Sequence, residues 1–239
     1  VPFGVPPDPA RGDRAAGRRA AGVPPDGPLV LFGGIYDWYD PELLLEAWPE
    51  ILRRIPDAKL LFFENPNPET TPQSVFARAR ERARALDSRG RSIFFSPWLP
   101  YAGRADLYAA ADLAVTISSE GLEAELAFRT RLLDAAWGGV PSVSVGGGPL
   151  AHALEEAGGG FSSGREASAL AGRVVGLLSD PARRARAGEA AARYAAAHTW
   201  RSVAGPLADW CRRPRIDPHR LPIAAGQKRS LLSRLGFFR

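Results

Sequence analysis

Short apolar runs alternate with stretches of helical periodicity along most of this chain, and that alternation confines the fold more than any other feature of the sequence. Leu29, Val30, Leu31 and Phe32 form one such run, which ends at Gly33 and Gly34. Pro41 then opens a stretch in which Leu44, Ala47, Trp48, Ile51, Leu52 and Ile55 recur at helical spacing and share one face. The unit repeats, predicting strands over 60–63, 92–95, 113–117 and 141–145 and helices over 72–86, 104–111, 130–137 and 150–157. A last short strand is expected within 158–163, then helices over 166–179 and 181–197, and another over 200–210 that Gly205 and Pro206 interrupt. Strands that alternate with helices imply crossover connections, hence a doubly wound parallel sheet. The expected fold class is α/β and Rossmann-like over 29–213, with a helical carboxyl-terminal extension. Residues 1–28, rich in Pro, Gly and Arg without an apolar period, read as an entry segment or linker. Residues 214–239 read as a basic amphipathic tail carrying Lys228, Arg229, Arg234 and Arg239 beside Leu231, Leu232, Leu235, Phe237 and Phe238.

Composition removes several function classes. The chain has 239 residues, 45% of them hydrophobic and 24% charged, which is enough to bury a sizeable core. Cys211 is the single cysteine, so neither a disulfide scaffold nor a Cys-based zinc cluster is available. No apolar run approaches the ~20 residues that cross a bilayer, and the opening segment lacks the apolar centre of a signal peptide. The compartment expected is the cytoplasm. Met is absent altogether, which is expected of a fragment or of one domain of a longer protein. The net charge of +5 comes almost wholly from arginine, since only Lys59 and Lys228 are lysines. Arg78, Arg80, Arg82, Arg84, Arg89 and Arg91 cluster, yet Glu81 and Asp87 lie among them and helical spacing spreads them around a solvated face. Without a zinc finger or an aromatic RNA-binding segment, nucleic acid is not an expected partner. The basic tail either docks on protein or makes a peripheral contact with the inner membrane surface.

In an open α/β sheet, ligands bind beyond the carboxyl ends of the strands, so the loops there hold the candidate residues. The first runs from Gly33 and Gly34 through Tyr36, Asp37 and Trp38 to Pro41. Paired glycines let backbone approach a phosphate, with helix N–H groups behind it; they equally suit a tight turn chosen for its dihedrals. The third loop, SPWLPY, holds Trp98, Leu99 and Tyr101, rings that could stack on a base or pack over the core. The fourth, SSEGLEAELAFRTRLLD, carries Glu120, Glu123, Glu125, Arg129, Thr130, Arg131 and Asp134. With Thr130 as a helix cap, free amides, two arginines and Asp134 suit a diphosphate with a ribose beyond it. The alternative is one amphipathic helix from Glu123, with the arginines paired to neighbouring acids.

Four segments, PFGV at the start, GGIYDWYDPELLLEA, FSPWLPYAGRADLYAAADLAV and EAELAFRTRLLDAAWGGVPSV, decide between these readings. Over about residues 1–210 they resemble the carboxyl-terminal, nucleotide-sugar-binding domain of GT-B glycosyltransferases, in the group 1, family 4-like branch. The resemblance implies transfer of a sugar from a nucleotide-diphosphate sugar to a glycan or lipid-linked acceptor, with an amino-terminal acceptor domain missing from this chain. It places Gly33 and Gly34 against the donor phosphates, with Asp37 in the same loop. It sets Trp98, Leu99 and Tyr101 along the base, and Asp134 on the ribose hydroxyls. The family's first helix-borne acid would fall at position 126, which is Leu126, and this leaves Glu120, Glu123 or Glu125 to face the sugar. The bases usual after the glycine turn are also missing, so Arg129 and Arg131 are the candidates to offset the diphosphate, with Glu125 beside them in the transfer chemistry. No cofactor or metal is implied, D-x-D being absent, and the scattered His152, His198 and His219 read as surface or packing residues. A non-catalytic module that binds a nucleotide or a partner is the rival reading.

Overall fold

The computed structural model describes residues 2–64, 67, 69, 70 and 72–214. It divides into two compact units, Pro2–Val203, which holds the sheet, and a second from Ala204 onward, which is described only as far as Pro214. The expected basic tail lies outside the described residues, as do Asn65, Pro66 and Pro68 of the second loop.

Six strands form one parallel sheet: β1 (Leu29–Gly34), β2 (Lys59–Phe63), β3 (Ile93–Ser96), β4 (Leu113–Ile117), β5 (Ser142–Val145) and β6 (Gly160–Ser162). Their order is β3-β2-β1-β4-β5-β6, so the chain winds outward in one direction from β1 and then in the other from β4. The connecting helices are α2 (Pro41–Arg54), α3 (Ser74–Leu86), α4 (Arg104–Ala110), α5 (Leu122–Leu126), α6 (Thr130–Trp137), α7 (Pro149–Glu156), α8 (Ala167–Leu178) and α9 (Pro181–Ala197). The elements expected from apolar periodicity all form, with bounds within two residues of those expected.

The period of two in β1 sorts its side chains between two cores. Val30 and Phe32 pack with α2, α3 and α8, whereas Leu29 and Leu31 pack with α4 on the other face. A third cluster joins α6, α7 and α9 through Leu132, Leu133, Leu150, Leu154 and Ala191. These layers hold the carboxyl ends of β1, β2 and β3 together on one side of the sheet.

Three features depart from the sequence expectations. Residues 1–28 contain a helix, α1 (Arg14–Ala20), capped by Asp13, whose Oδ1 accepts from the Ala15 and Ala16 amides at 2.8 and 3.2 Å. Its packing is polar, which is why apolar periodicity does not announce it. Arg18 is 2% exposed and donates to the carbonyls of Pro24, Asp26 and Gly27. At Gly17 a Cβ would stand 2.0 Å from the Asp106 carbonyl oxygen, so only glycine allows α1 to lie on α4. Second, the stretch from Glu123 is two helices, because α5 stops at Leu126 and α6 restarts at Thr130. Third, the last helix, α10 (Trp200–Arg212), runs through Pro206 without the expected interruption. The helix continues past the one backbone donor that the proline removes.

Asp87 sets the start of β3. Its carboxylate accepts from the amides of Arg91, Ser92 and Ile93 and from the Ser92 hydroxyl, and that hydroxyl in turn accepts from the Trp48 indole. Burial raises the Asp87 pKa, but these hydrogen bonds together outweigh it and hold the group below its ordinary value. A carboxylate lowered in the folded state stabilises fully above its unfolded pKa, and this is lost as pH falls through the folded value. Asp87→Ala is expected to cost about 2 kcal/mol near neutral pH. In urea denaturation the gap between the two proteins should narrow on acidification; a pH-independent gap would contradict the role assigned to the carboxylate.

Candidate nucleotide-sugar site

The sheet has its topological switch point between β1 and β4, and the two strands pair only at Val30 with Leu113 and Leu31 with Ala114. Beyond Leu31, β1 shifts register against β2, with Phe32 as the extra residue. Gly33 there has φ +84, a conformation that a side chain disfavours. The carbonyls of Phe32 and Gly34 are left without β4 as a partner. Arg131 of α6 supplies the missing donors, Nη1 to Phe32 O at 3.1 Å and Nη2 to Gly34 O at 2.9 Å. Its guanidinium lies 3.8 Å from the centroid of the Tyr39 ring. Burial pulls its pKa below the ordinary value for arginine, which is high enough that the group stays charged.

The loop after β1 is tied across the switch point to the end of β4. The Asp40 amide donates to Ile117 O and the Ser119 amide to Trp38 O, both at 3.0 Å. The Asp40 carboxylate caps α2 through the Leu43 amide and pairs with Arg165 at 3.2 Å. Within this rigid loop the Tyr36 and Trp38 rings stack, with centroids 4.9 Å apart. A Cβ at Gly34 would come within 3.3 Å of Trp98 and 3.4 Å of Tyr36, so bare backbone separates the two aromatic walls.

A cleft of about 470 Å³ opens here. The carboxyl ends of β1 and β2 form its floor, the Trp98 loop after β3 one wall, and the amino-terminal parts of α4 and α6 the other. Of the residues expected from sequence, the fold brings Gly33, Gly34, Trp98, Leu99, Tyr101, Thr130, Arg131 and Asp134 into its lining. Thr130, however, is the first residue of α6 and not its cap; Arg129 occupies the cap position, and no side chain caps the helix. The reason is the pull on Arg129 from outside the helix. Its buried guanidinium donates to Glu123 at 2.8 and 2.5 Å and to the Ser118 hydroxyl at 3.1 Å.

Arg129, Glu123, Glu120, Glu125 and Asp37 stand outside the cleft lining. Glu123 is engaged by Arg129, and Glu120 pairs with Arg165 at 3.1 Å. Asp37 is exposed and accepts from the Ser74 hydroxyl at 3.3 Å. Glu125 is exposed on α5 without an ion pair among the described residues, and Leu126 at the missing-acid position is 68% exposed.

Asp134 sits on the cleft wall with its Oδ1 2.7 Å from Nη1 of Arg104. Burial pushes its pKa above the ordinary carboxylate value, opposed by the charge of Arg104. The buried Tyr108 phenol, which also lines the cleft, is pushed up by burial and then by the Asp134 charge. Arg104, Tyr36, Trp38, Tyr39 and Tyr108 are site residues that sequence reasoning did not select; only the placement of the three aromatics in a strand-end loop was a signal. Among the described residues no group of three His, Cys, Asp or Glu gathers as a metal site.

The chain is 33% identical over 205 residues to D-inositol 3-phosphate glycosyltransferase 2 of Catenulispora acidiphila, matching 83% of this chain and 46% of that protein. It thus spans about half the length of the curated relatives it matches. Anabaena Alr3699/HepE, solved in complex with UDP-glucose, superposes with a TM-score of 0.71 at 17% identity, over 87% of this chain and 56% of that one. The carboxyl-terminal domain of a group 1 glycosyl transferase, LpcC of Francisella tularensis, matches with a TM-score of 0.63 at 16% identity, over 80% of this chain and 95% of that domain. No protein-family model matches the chain.

The geometry assigns Arg131 a structural task. Arg131→Ala leaves two carbonyls without donors and is expected to cost about 3 kcal/mol in chemical denaturation. Arg131→Lys, which cannot bridge both carbonyls with a planar fork, should recover only part of it. Equal stability of the alanine variant and the unaltered chain would show that solvent replaces the guanidinium.

Proposed function

This chain is a homologue of group 1 glycosyltransferases of the GT-B fold and has the architecture of their carboxyl-terminal domain, and we propose that it is the donor half of a sugar transferase. The cleft at the switch point takes a nucleotide-diphosphate sugar, and an amino-terminal domain supplies the acceptor. The observation that carries this reading is the juxtaposition of the Gly33-Gly34 backbone with the half-buried carboxylate of Asp134, across a cleft walled by Trp98 and Tyr101.

The chemistry follows from the placement. The base lies along Trp98 and Tyr101, the ribose hydroxyls donate to Asp134, and the diphosphate lies over the glycine backbone. Arg131 spends two of its N–H donors on β1, but its charge stays at the cleft wall. There it offsets the negative charge that grows on the departing diphosphate as its bond to the sugar breaks. Apolar walls raise the effect of that charge by keeping the local dielectric low. Positioning and electrostatics are thus the contributions of this half, and the groups that bind and activate the acceptor belong to the other.

The rival, a binding module without transfer, has two observations in its favour. Arg129 is committed to Glu123 and Ser118 inside the domain, and position 126 offers leucine in place of an acid. Calorimetric titration of the 239-residue chain with UDP, GDP and dTDP tests the donor reading, with binding of at least one expected and sugar transfer by the chain alone slight or absent. Asp134→Asn should weaken that binding roughly 10- to 100-fold, the loss of about 1–3 kcal/mol from a charged hydrogen bond. The same variant should be no less stable than the unaltered chain at neutral pH. A carboxyl raised in the folded state gives its full stabilisation below the unfolded pKa and loses it as pH rises through the folded value. Unchanged affinity in Asp134→Asn would remove this residue from the donor site.

A further inference from the structure

Arg104 is held in a way that an ordinary ion pair does not require. It is the first residue of α4, and its guanidinium lies between two rings, 4.2 Å from the Tyr101 centroid and 4.6 Å from that of Trp137. Its Nη1 donates to Asp134 Oδ1, while its Nε is buried without a hydrogen-bond partner. The rings therefore fix the plane of the guanidinium, a cation–π arrangement that lysine cannot reproduce. Asp134 Oδ2 receives no hydrogen bond from the described residues, and the side chain lines the cleft. One oxygen is clamped and the other is open to a ligand.

Resting on the donor-site reading, we propose that Arg104 is a positioning residue, which clamps Asp134 so that its second carboxylate oxygen is presented to the ribose hydroxyls of the bound nucleotide. The groups around Asp134 make this clamp necessary. Arg104 and Tyr108 face it from α4, Tyr101 lies at the start of the same wall, Arg131 stands on its own helix, and the end of β1 presents glycine backbone. Among these, Arg104 is the cation in contact with the carboxylate, and it opposes the burial that favours the protonated form. Without it Asp134 would take up a proton at higher pH and lose the charge that makes it a strong acceptor.

The test is the pH profile of UDP, GDP and dTDP binding to the 239-residue chain and its variants from pH 5 to 9. Affinity should fall on acidification as Asp134 protonates. In Arg104→Ala the midpoint of that fall should move up by about one unit or more, so that affinity is roughly 2-fold lower at the shifted midpoint, approaches a roughly 10-fold deficit below both midpoints and recovers toward alkaline pH. Arg104→Lys should lie between, and Asp134→Asn should leave only the dependence that comes from the second ionisation of the ligand's own terminal phosphate, at about pH 6. Carbon-13 NMR titration of the Asp134 carboxyl in the ligand-free chain should show the same upward shift in Arg104→Ala. An equal loss of affinity at every pH, or an unmoved carboxyl titration, would overturn the clamp. Failure of the unaltered chain to bind UDP, GDP or dTDP at any pH overturns the donor reading and the ribose role with it, whereas the NMR titration still reports on the clamp.

Discussion

Where β1 leaves β4, two backbone carbonyls lose the strand that would have paired them, and Arg131 takes both. A crevice at this point of an open sheet has an energetic cost, because a buried carbonyl without a donor forfeits the hydrogen bonds it had in water. The guanidinium meets that cost from the side of α6, and so fixes the distance between the helix and the strand. That bridge joins one wall of the cleft to its floor. Tyr39 completes the joint, with Arg131 and Arg129 at 3.8 and 5.1 Å from its ring and its own loop tied to the end of β4.

The two arginines that the sequence pairs so closely therefore do different work. Arg129 turns outward from the helix start, is buried against Ser118 and Glu123, and holds the break between α5 and α6. Arg131 turns inward and leaves a positive charge on the cleft wall. With Arg104 and Asp134 that wall carries two cations and one carboxylate, a balance suited to an anionic ligand. Aromatic rings from two loops surround these charges, which strengthens each of them relative to water.

The architecture was legible because its signals are local. The strand runs 29–32 and 113–117, the Pro41 helix start and the stripe from Leu44 to Ile55 depend on neighbours a few residues apart, and the structure reproduces them. The segment 1–28 was not legible, since α1 is held by the buried Arg18 and by a glycine pressed on α4, neither of which has a period. Half the site was legible for a similar reason. Gly33, Gly34, Trp98, Tyr101 and Asp134 lie in strand-end loops or at a helix start, where topology alone brings side chains together.

A parallel α/β sheet, the loops at its carboxyl edge and the residue types offered there follow from the order of residues alone. Which charges face the cleft follows from packing. Arg104 meets Asp134 across 30 positions, and Arg131 meets Gly34 across 97. Periodicity records which face of an element is buried, because burial repeats with the backbone. The partner of a guanidinium does not repeat; it is set by the free energy of leaving a charge or a carbonyl unpaired once the elements have packed.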